Sequence, residues 1–442
     1  MNMTRWIVLV VALLGLYRPL ESSFPQRLER GPSVHADLLA VAVQKTAPAS
    51  TETQKRISVE GARAISDQLS AAVKRGDTPG VVALVVDRDD VLFEGAAGTL
   101  GAADKQPMPV DAIFRIASMT KPVTSVAIMM LLDQQKLQLD DPVSKYLTGF
   151  DNLQVISKLN EADGTYETRP AKRPLTIRHL LTHTSGIGYA FSNPTVARLL
   201  RSTSKTEWEL PLLHDPGDKW MYGASTRVLG GIVEKITGQP LETWYQQQIF
   251  QPLGMVDTSY VVPADKQSRV PAIYSRVNGT LQEEPRTPIP STPTPPFRGD
   301  GGLYSTARDY GRFMRMLLNG GQLGETRLLS ERSVRTMGQN HIGTVVVEQQ
   351  PAADPLRTRP FPVGAGHDKF GLGFQIASKE ASDGKHRSPG SLSWAGIYNT
   401  EFWIDQERHI AGVQLMQVLP FYDDHAIRTL SDFEELVYRH LP

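Results

Sequence analysis

The sequence contains no cysteine. That excludes disulfide frameworks, thiol nucleophiles and thiolate metal sites together. It does not fix a compartment, because a large domain can persist in an oxidising space without disulfides. No sign of charge prevails, with Lys+Arg and Asp+Glu both at 47. Without a basic run, nucleic acid is not an expected partner. The chain also lacks a G-x-S-x-G elbow, which argues against an α/β-hydrolase, and its glycine pairs at 301–302 and 320–321 form no phosphate loop. Long apolar runs are missing too. Residues 7–16 are apolar apart from Gly15, but a bilayer span needs roughly 20 residues.

That short run, preceded by Arg5, fits the apolar region of a signal peptide. Residues 1–23 are therefore expected to be a signal peptide or N-terminal anchor, and the protein exported, periplasmic or extracellular. Residues 24–56, rich in Ser, Thr, Pro, Ala and Gln, read as a linker. The remaining 57–442 are long enough for one sizeable catalytic domain.

Within it, Ala62, Ile65, Leu69, Ala72 and Val73 recur at helical spacing, and Gly76 closes the pattern. Strand-like runs follow at 81–86 and 91–95. Helical patterns dominate from Ser118 to about Gln251, interrupted by the polar stretch 160–173. A proline-heavy loop covers 279–300, and a helix returns at 309–318. The C-terminal part reads as strands at 370–376, 392–394, 400–404 and 410–417, then an amphipathic helix at 431–441. Strands from both ends can pair in one antiparallel sheet with a helical insertion between them, at about 122–290. The fold class is thus α+β.

The chemistry centres on Ser118-Met119-Thr120-Lys121, at the start of a helix running to about Gln135. Residues three apart share a helix face, so Lys121 can reach the Ser118 hydroxyl. A serine needs a base, and a lysine serves only when neutral, which requires burial or a nearby cation. The flanking Phe114, Ile116, Ala117, Met119 and Val123 are apolar. The same spacing recurs at Ser202/Lys205 and Ser382/Lys385, both in polar stretches. Two further pieces are Tyr222, in W-M-Y-G-A-S at 220–225, and S-W-A-G-I at 393–397, on an expected strand. A tyrosine beside a cationic lysine can join in proton transfer. A glycine-containing strand can bring backbone N–H groups close to a substrate. Taken singly, Ser118 could be a helix cap and Tyr222 a core residue.

In this order the three pieces resemble the class C β-lactamase family, which also holds penicillin-recognising peptidases and esterases. That family uses S-x-x-K, then Y-x-N or Y-S/G-x, then K-T-G, H-T-G or W-x-G. Residues 180–187 (L-L-T-H-T-S-G-I), 301–310 (G-G-L-Y-S-T-A-R-D-Y) and 249–255 (I-F-Q-P-L-G-M) match its style as well. The resemblance covers about residues 57–440. It implies a β-lactamase/transpeptidase-like fold, an antiparallel sheet flanked by helices. Catalytic roles fall to Ser118, Lys121 and Tyr222, an oxyanion hole to the N–H groups of Ser118 and Ile397, and substrate contacts to Trp394 and Gly396. It implies no cofactor and a small-molecule ester or amide substrate.

Two departures bear on specificity. Ala224 stands where β-lactamases carry asparagine, and Trp394 where they carry lysine, so a carboxylate-bearing substrate loses its grip. Lys385, His386 and Arg387, just upstream, could supply a replacement charge. The expected function is a carboxylesterase on small to medium neutral esters, working through an acyl-enzyme. A β-lactamase or D-amino-acid peptidase is the alternative, and a non-hydrolytic binding protein on the same fold a lesser one. His179 and His183 have metal-compatible spacing, but residue 180 is leucine rather than the glutamate of zinc proteases, so no metal site is expected.

Overall fold

A computed structural model describes residues 57–102, 105–160, 164–380 and 382–441. The expected signal or anchor segment and the linker lie outside the described residues. Ser58 caps the first helix by accepting a hydrogen bond from the Gly61 amide at 3.0 Å, and α1 runs Val59–Lys74. Two strands follow, β1 (Gly80–Asp87) and β2 (Val91–Gly98). Much later come β3 (Lys369–Phe370), β4 (Gln375–Ile376), β5 (Leu392–Gly396), β6 (Thr400–Asp405) and β7 (Ile410–Leu415). They form one sheet in the order β3-β4-β5-β6-β7-β1-β2. Every pairing is antiparallel, and β7 joins β1 in the register Val82↔Leu415. The two ends of the domain thus build the sheet, as the distribution of strand patterns implies.

Alternation along β1 divides the core. Val81, Ala83 and Val85 pack with Ile65 and Leu69 of α1 and with Phe433 and Val437 of the last helix. Val82, Leu84 and Val86 face the larger core on the other side. Further along the chain come α2 (Thr120–Asp133), α3 (Ser225–Thr237) and α4 (Ala307–Leu318), and α4 lies close to the sheet on that side. Gly311 permits that approach, since a Cβ there would stand 2.4 Å from Leu84 Cδ2. The last helix, α5, spans Asp424–Arg439. It begins seven residues before the expected Ser431 because Asp423 caps it, accepting from the Ala426 amide at 3.3 Å.

Helix α2 is apolar on nearly every side and is buried from Thr120 to Leu131. The segment expected to be a helical insertion contains two hairpins as well. One pairs Gln154–Leu159 with Tyr166–Pro170, taking in part of the stretch expected as polar loop. The other pairs Tyr274–Val277 with Thr280–Glu283. The expected strand at 370–376 is instead a tight hairpin of β3 and β4. It turns at Gly373, whose φ of 99° a side chain would resist and whose Cβ would stand 2.3 Å from Ser125 Oγ.

Candidate active site

Ser118 sits in a short 3-10 turn, Ala117–Met119, that leads into α2. The preceding Ala117 has φ of +44°, in the left-handed region that alanine disfavours. The neighbourhood fixes this bend from several sides. The Ile116 amide donates to Leu303 O at 3.0 Å, the Leu303 amide to Thr120 Oγ1 at 3.3 Å, and the Tyr310 hydroxyl to Met119 O at 3.0 Å. The G-G-L-Y-S-T-A-R-D-Y segment therefore clamps the turn that presents Ser118. From the sheet side, β5 presses equally close. A Cβ at Gly396 would come within 2.4 Å of Ile116 O, so only glycine lets the strand lie there.

The structure brings Ser118, Lys121 and Tyr222 together. Lys121 Nζ donates to Ser118 Oγ at 3.0 Å and to Asp300 O at 2.8 Å. The Tyr222 hydroxyl donates to the same Ser118 Oγ at 2.7 Å. The tyrosine is placed by the tight turn before α3. Gly223 has no room for a side chain, since its Cβ would stand 1.8 Å from Ile187 O. The Tyr222 amide is held by Gln350 Oε1 at 3.2 Å.

Electrostatics separates the two partners. Lys121 is only 2% exposed. Burial pushes its ammonium down to about 7; Asp300 opposes this, while Arg298 and Arg227 reinforce it. Burial pushes the Tyr222 phenol up, against the hydrogen bond to Ser118 and the neighbouring Trp394. Near neutral pH the amine can thus be free of its extra proton while the phenol keeps its own. A neutral lysine and a proton-bearing tyrosine on one serine oxygen form a base and an acid for acyl transfer.

Asp300 and the polar residues around it escaped the sequence reading. Asp300 is fully buried, and its carboxylate accepts from Arg227 Nε at 3.0 Å, Arg298 Nε at 3.2 Å and the Tyr189 hydroxyl. Burial alone would push this carboxyl up, but Lys121, Arg298 and Arg227 hold it well below the usual carboxylate range. Its backbone carbonyl, meanwhile, fixes the Lys121 amine. The only available signal was its position directly before the G-G-L segment.

Trp394 is 7% exposed and belongs to an aromatic cage. Its ring lies 5.1 Å from Tyr222, 5.5 Å from Phe370 and 6.1 Å, stacked, from His183. Burial and the Lys121 charge push the His183 imidazole down to about 3, which keeps it neutral in this cage. His179 faces elsewhere, with Nδ1 at 3.0 Å from Thr176 Oγ1 in a helix cap. Among the described residues, no group of three or more His, Asp or Glu could hold a metal ion. Ala224 is fully buried at the start of α3 and offers the cavity no polar atom.

A cavity of about 300 Å³ opens over Ser118, lined by Tyr222, Phe191, Phe361, Trp394 and Ile397. Arg387 and His386 line its far end, but neither is free to replace the missing lysine. Arg387 is bound to Glu434, with Nε to Oε1 at 2.9 Å, and His386 lies 2.7 Å from Asp383 Oδ2. Lys385 is exposed and does not line the cavity. In the other two S-x-x-K pairs Ser202, Lys205, Ser382 and Lys385 are all exposed to solvent, although Ser382 also lines the cavity.

The chain is similar to known proteins in sequence and in fold. A family model described as Beta-lactamase matches residues 65–436. An uncharacterized protein of Mycobacterium tuberculosis is 36% identical over 77% of this chain and 86% of its own. Lovastatin esterase of Penicillium rubens is 29% identical over 84% of this chain and 96% of its own. In fold, the chain is similar to the unliganded structure of simvastatin synthase (LovD) from Aspergillus terreus. The TM-score is 0.73 at 24% identity, over 86% of this chain and 98% of that one. The chain belongs to the beta-lactamase family and has the β-lactamase/transpeptidase fold, with the chemistry of a serine hydrolase or acyltransferase.

Proposed function

We propose that the protein is a carboxylesterase acting on small to medium neutral esters through an acyl-enzyme on Ser118. The observation that carries this reading is a serine oxygen bonded to both a lysine and a tyrosine, beside a cavity whose cations are already paired. Neutral Lys121 takes the Ser118 proton as Oγ attacks the ester carbonyl. The oxyanion rests on the N–H groups of Ser118 and Ile397, and both residues line the cavity. Tyr222 donates a proton to the leaving alcohol, and water then releases the acyl group by the reverse proton path. Preorganised donors and a positioned base suit this two-step route, because no large rearrangement is needed at the moment of reaction.

Specificity follows from the wall. Phe191, Phe361 and Trp394 favour apolar groups, at roughly 0.8 kcal/mol per buried CH₂. A substrate carboxylate would meet Trp394 where a lysine would have paired it, and an unpaired buried carboxylate carries a heavy desolvation penalty. The relationship to an esterase supports the same class of substrate. A panel of p-nitrophenyl esters beside nitrocefin tests the reading. The best ester should exceed nitrocefin at least about tenfold in kcat/KM, a gap of roughly 1.4 kcal/mol. Equal rates would replace the esterase with the β-lactamase alternative.

A further inference from the structure

The cavity does not end at the aromatic wall. It extends past residues 394–396 of β5, which β4 does not pair, into a second lobe lined by residues of the sheet and of α5. Ala395 of β5 and Glu401 of β6 are direct cross-strand partners on the floor of this lobe. Its roof is one face of α5, with Ile427, Leu430, Ser431 and Glu434 at spacings of three and four.

The charged groups of the lobe are paired within the chain, with one exception. Arg387 donates from Nε and Nη2 to the two Glu434 oxygens, at 2.9 and 2.5 Å. His386 bridges Asp383 Oδ2 at 2.7 Å and Ser431 Oγ at 3.0 Å. Asp368 accepts from Gln375 Nε2 at 2.6 Å and from the Ser378 amide at 2.9 Å. The Glu401 carboxyl makes no hydrogen bond among the described residues, and Glu401 is partly exposed and lines the cavity. A polar group taken from bulk water and left without a partner costs stability. A cavity that reaches the reacting serine is where a ligand can supply that partner.

We propose that this lobe is a subsite for a hydroxyl-bearing, uncharged substituent of the ester substrate, with the Glu401 carboxyl as the group that recognises it. The inference rests on the esterase reading above. Burial pushes the Glu401 carboxyl up to about 8; Arg387 opposes this and Glu434 adds to it. At neutral pH the group is therefore a carboxylic acid that can both donate and accept, which matches a hydroxyl. Ile427 and Leu430 give the chain leading to that hydroxyl an apolar lining. A carboxylate end would enter a lobe already holding Asp368, Asp383 and Glu434, whose one arginine is paired. Like charges at close range disfavour it.

The test measures kcat/KM for esters of equal length ending in methyl, hydroxymethyl, ammonium or carboxylate. One series places the end on the acyl chain of a p-nitrophenyl ester, and the other on the alcohol of an acetate ester. The wild type, Glu401→Gln and Glu401→Leu are compared, each with a thermal melt to confirm folding. In one series the wild type should prefer hydroxymethyl over methyl by about tenfold and reject carboxylate. The ratio within each variant is the readout, so an overall change in activity does not obscure it. Glu401→Gln, which still donates and accepts, should keep the ratio within about threefold, and Glu401→Leu should bring it to about one. Ratios near one in both wild-type series, or a preference surviving Glu401→Leu, would overturn the subsite while leaving the esterase intact. An ammonium end that outran the hydroxyl would overturn the assignment to a neutral partner. No ester turnover by the wild type would overturn the esterase reading, and the subsite with it.

Discussion

Three serine–lysine pairs at the same spacing occupy one chain, and among the described residues only Ser118 and Lys121 are hydrogen-bonded to each other. At 118/121 the lysine is 2% exposed, and its amine lies 3.0 Å from the hydroxyl. At 202/205 and 382/385 both members face solvent. Spacing brings an amine near a hydroxyl, but only burial makes that amine a base, because water stabilises the charged form elsewhere. The difference lies in the surroundings: the strand end at Gly396, the clamp at 303–310 and the buried Asp300 all meet at Ser118 and Lys121.

The largest expected effect comes from removing one serine at a time. Ser118→Ala should lower ester turnover by at least about 10³-fold while the thermal melt stays close to wild type. Ser202→Ala and Ser382→Ala should retain wild-type rates. Loss of activity in either of those, with Ser118→Ala active, would erase the distinction between the pairs.

Next come the proton-transfer partners. Lys121→Ala and Tyr222→Phe should each reduce kcat by roughly 10²–10⁴-fold, with smaller changes in KM. Their effects should fall short of additivity in the double variant, since both act on Ser118 Oγ. A fully additive loss would mean two independent roles.

A smaller effect, on pH, follows from burial itself. With the Lys121 amine pushed down to about 7, the free base is lost as pH falls through that value. Below it, kcat/KM should fall about tenfold per pH unit, and above it level off. Asp300 pulls the Lys121 value upward, so Asp300→Asn should shift this acid limb to lower pH. An unmoved limb would show that Lys121 is not the group titrating.

The smallest expected effect concerns the wall. Trp394→Lys should narrow the gap between esters and nitrocefin by a few-fold only, because position 394 is packed among His183, Tyr222 and Phe370 as well as facing the cavity. A wider gap would show that the substituted lysine cannot reach a substrate.

Much of this arrangement was legible in the sequence because it is local. The S-x-x-K turn, the tyrosine before a glycine and the strand ending in glycine each carry their geometry within a few residues. The sheet was legible because β1 and the C-terminal strands are strongly apolar. What could not be read depends on convergence. Asp300 meets its near neighbour Arg298 and, from three other segments, Arg227, Tyr189 and Lys121, and no periodicity announces such a meeting. His183 suggested a metal pair with His179 by spacing alone, yet the fold turns one into an aromatic cage and the other into a helix cap. The hairpin at 154–170 was hidden by its polar, exposed second strand, which has no apolar face to alternate. The break between β3 and β4 depends on Gly373 packing against Ser125, a contact with another element.

The most direct test of the account is to trap the acyl-enzyme. The protein is mixed with a slowly deacylating p-nitrophenyl ester at pH 8, quenched in acid and mapped by peptide mass spectrometry. One acyl group per chain should be found on the peptide containing Ser118, with none on those containing Ser202 or Ser382, and Lys121→Ala should greatly slow its appearance. An adduct on another residue, or turnover with no Ser118 adduct under trapping conditions, would contradict the claim that buried Lys121 makes Ser118 the nucleophile.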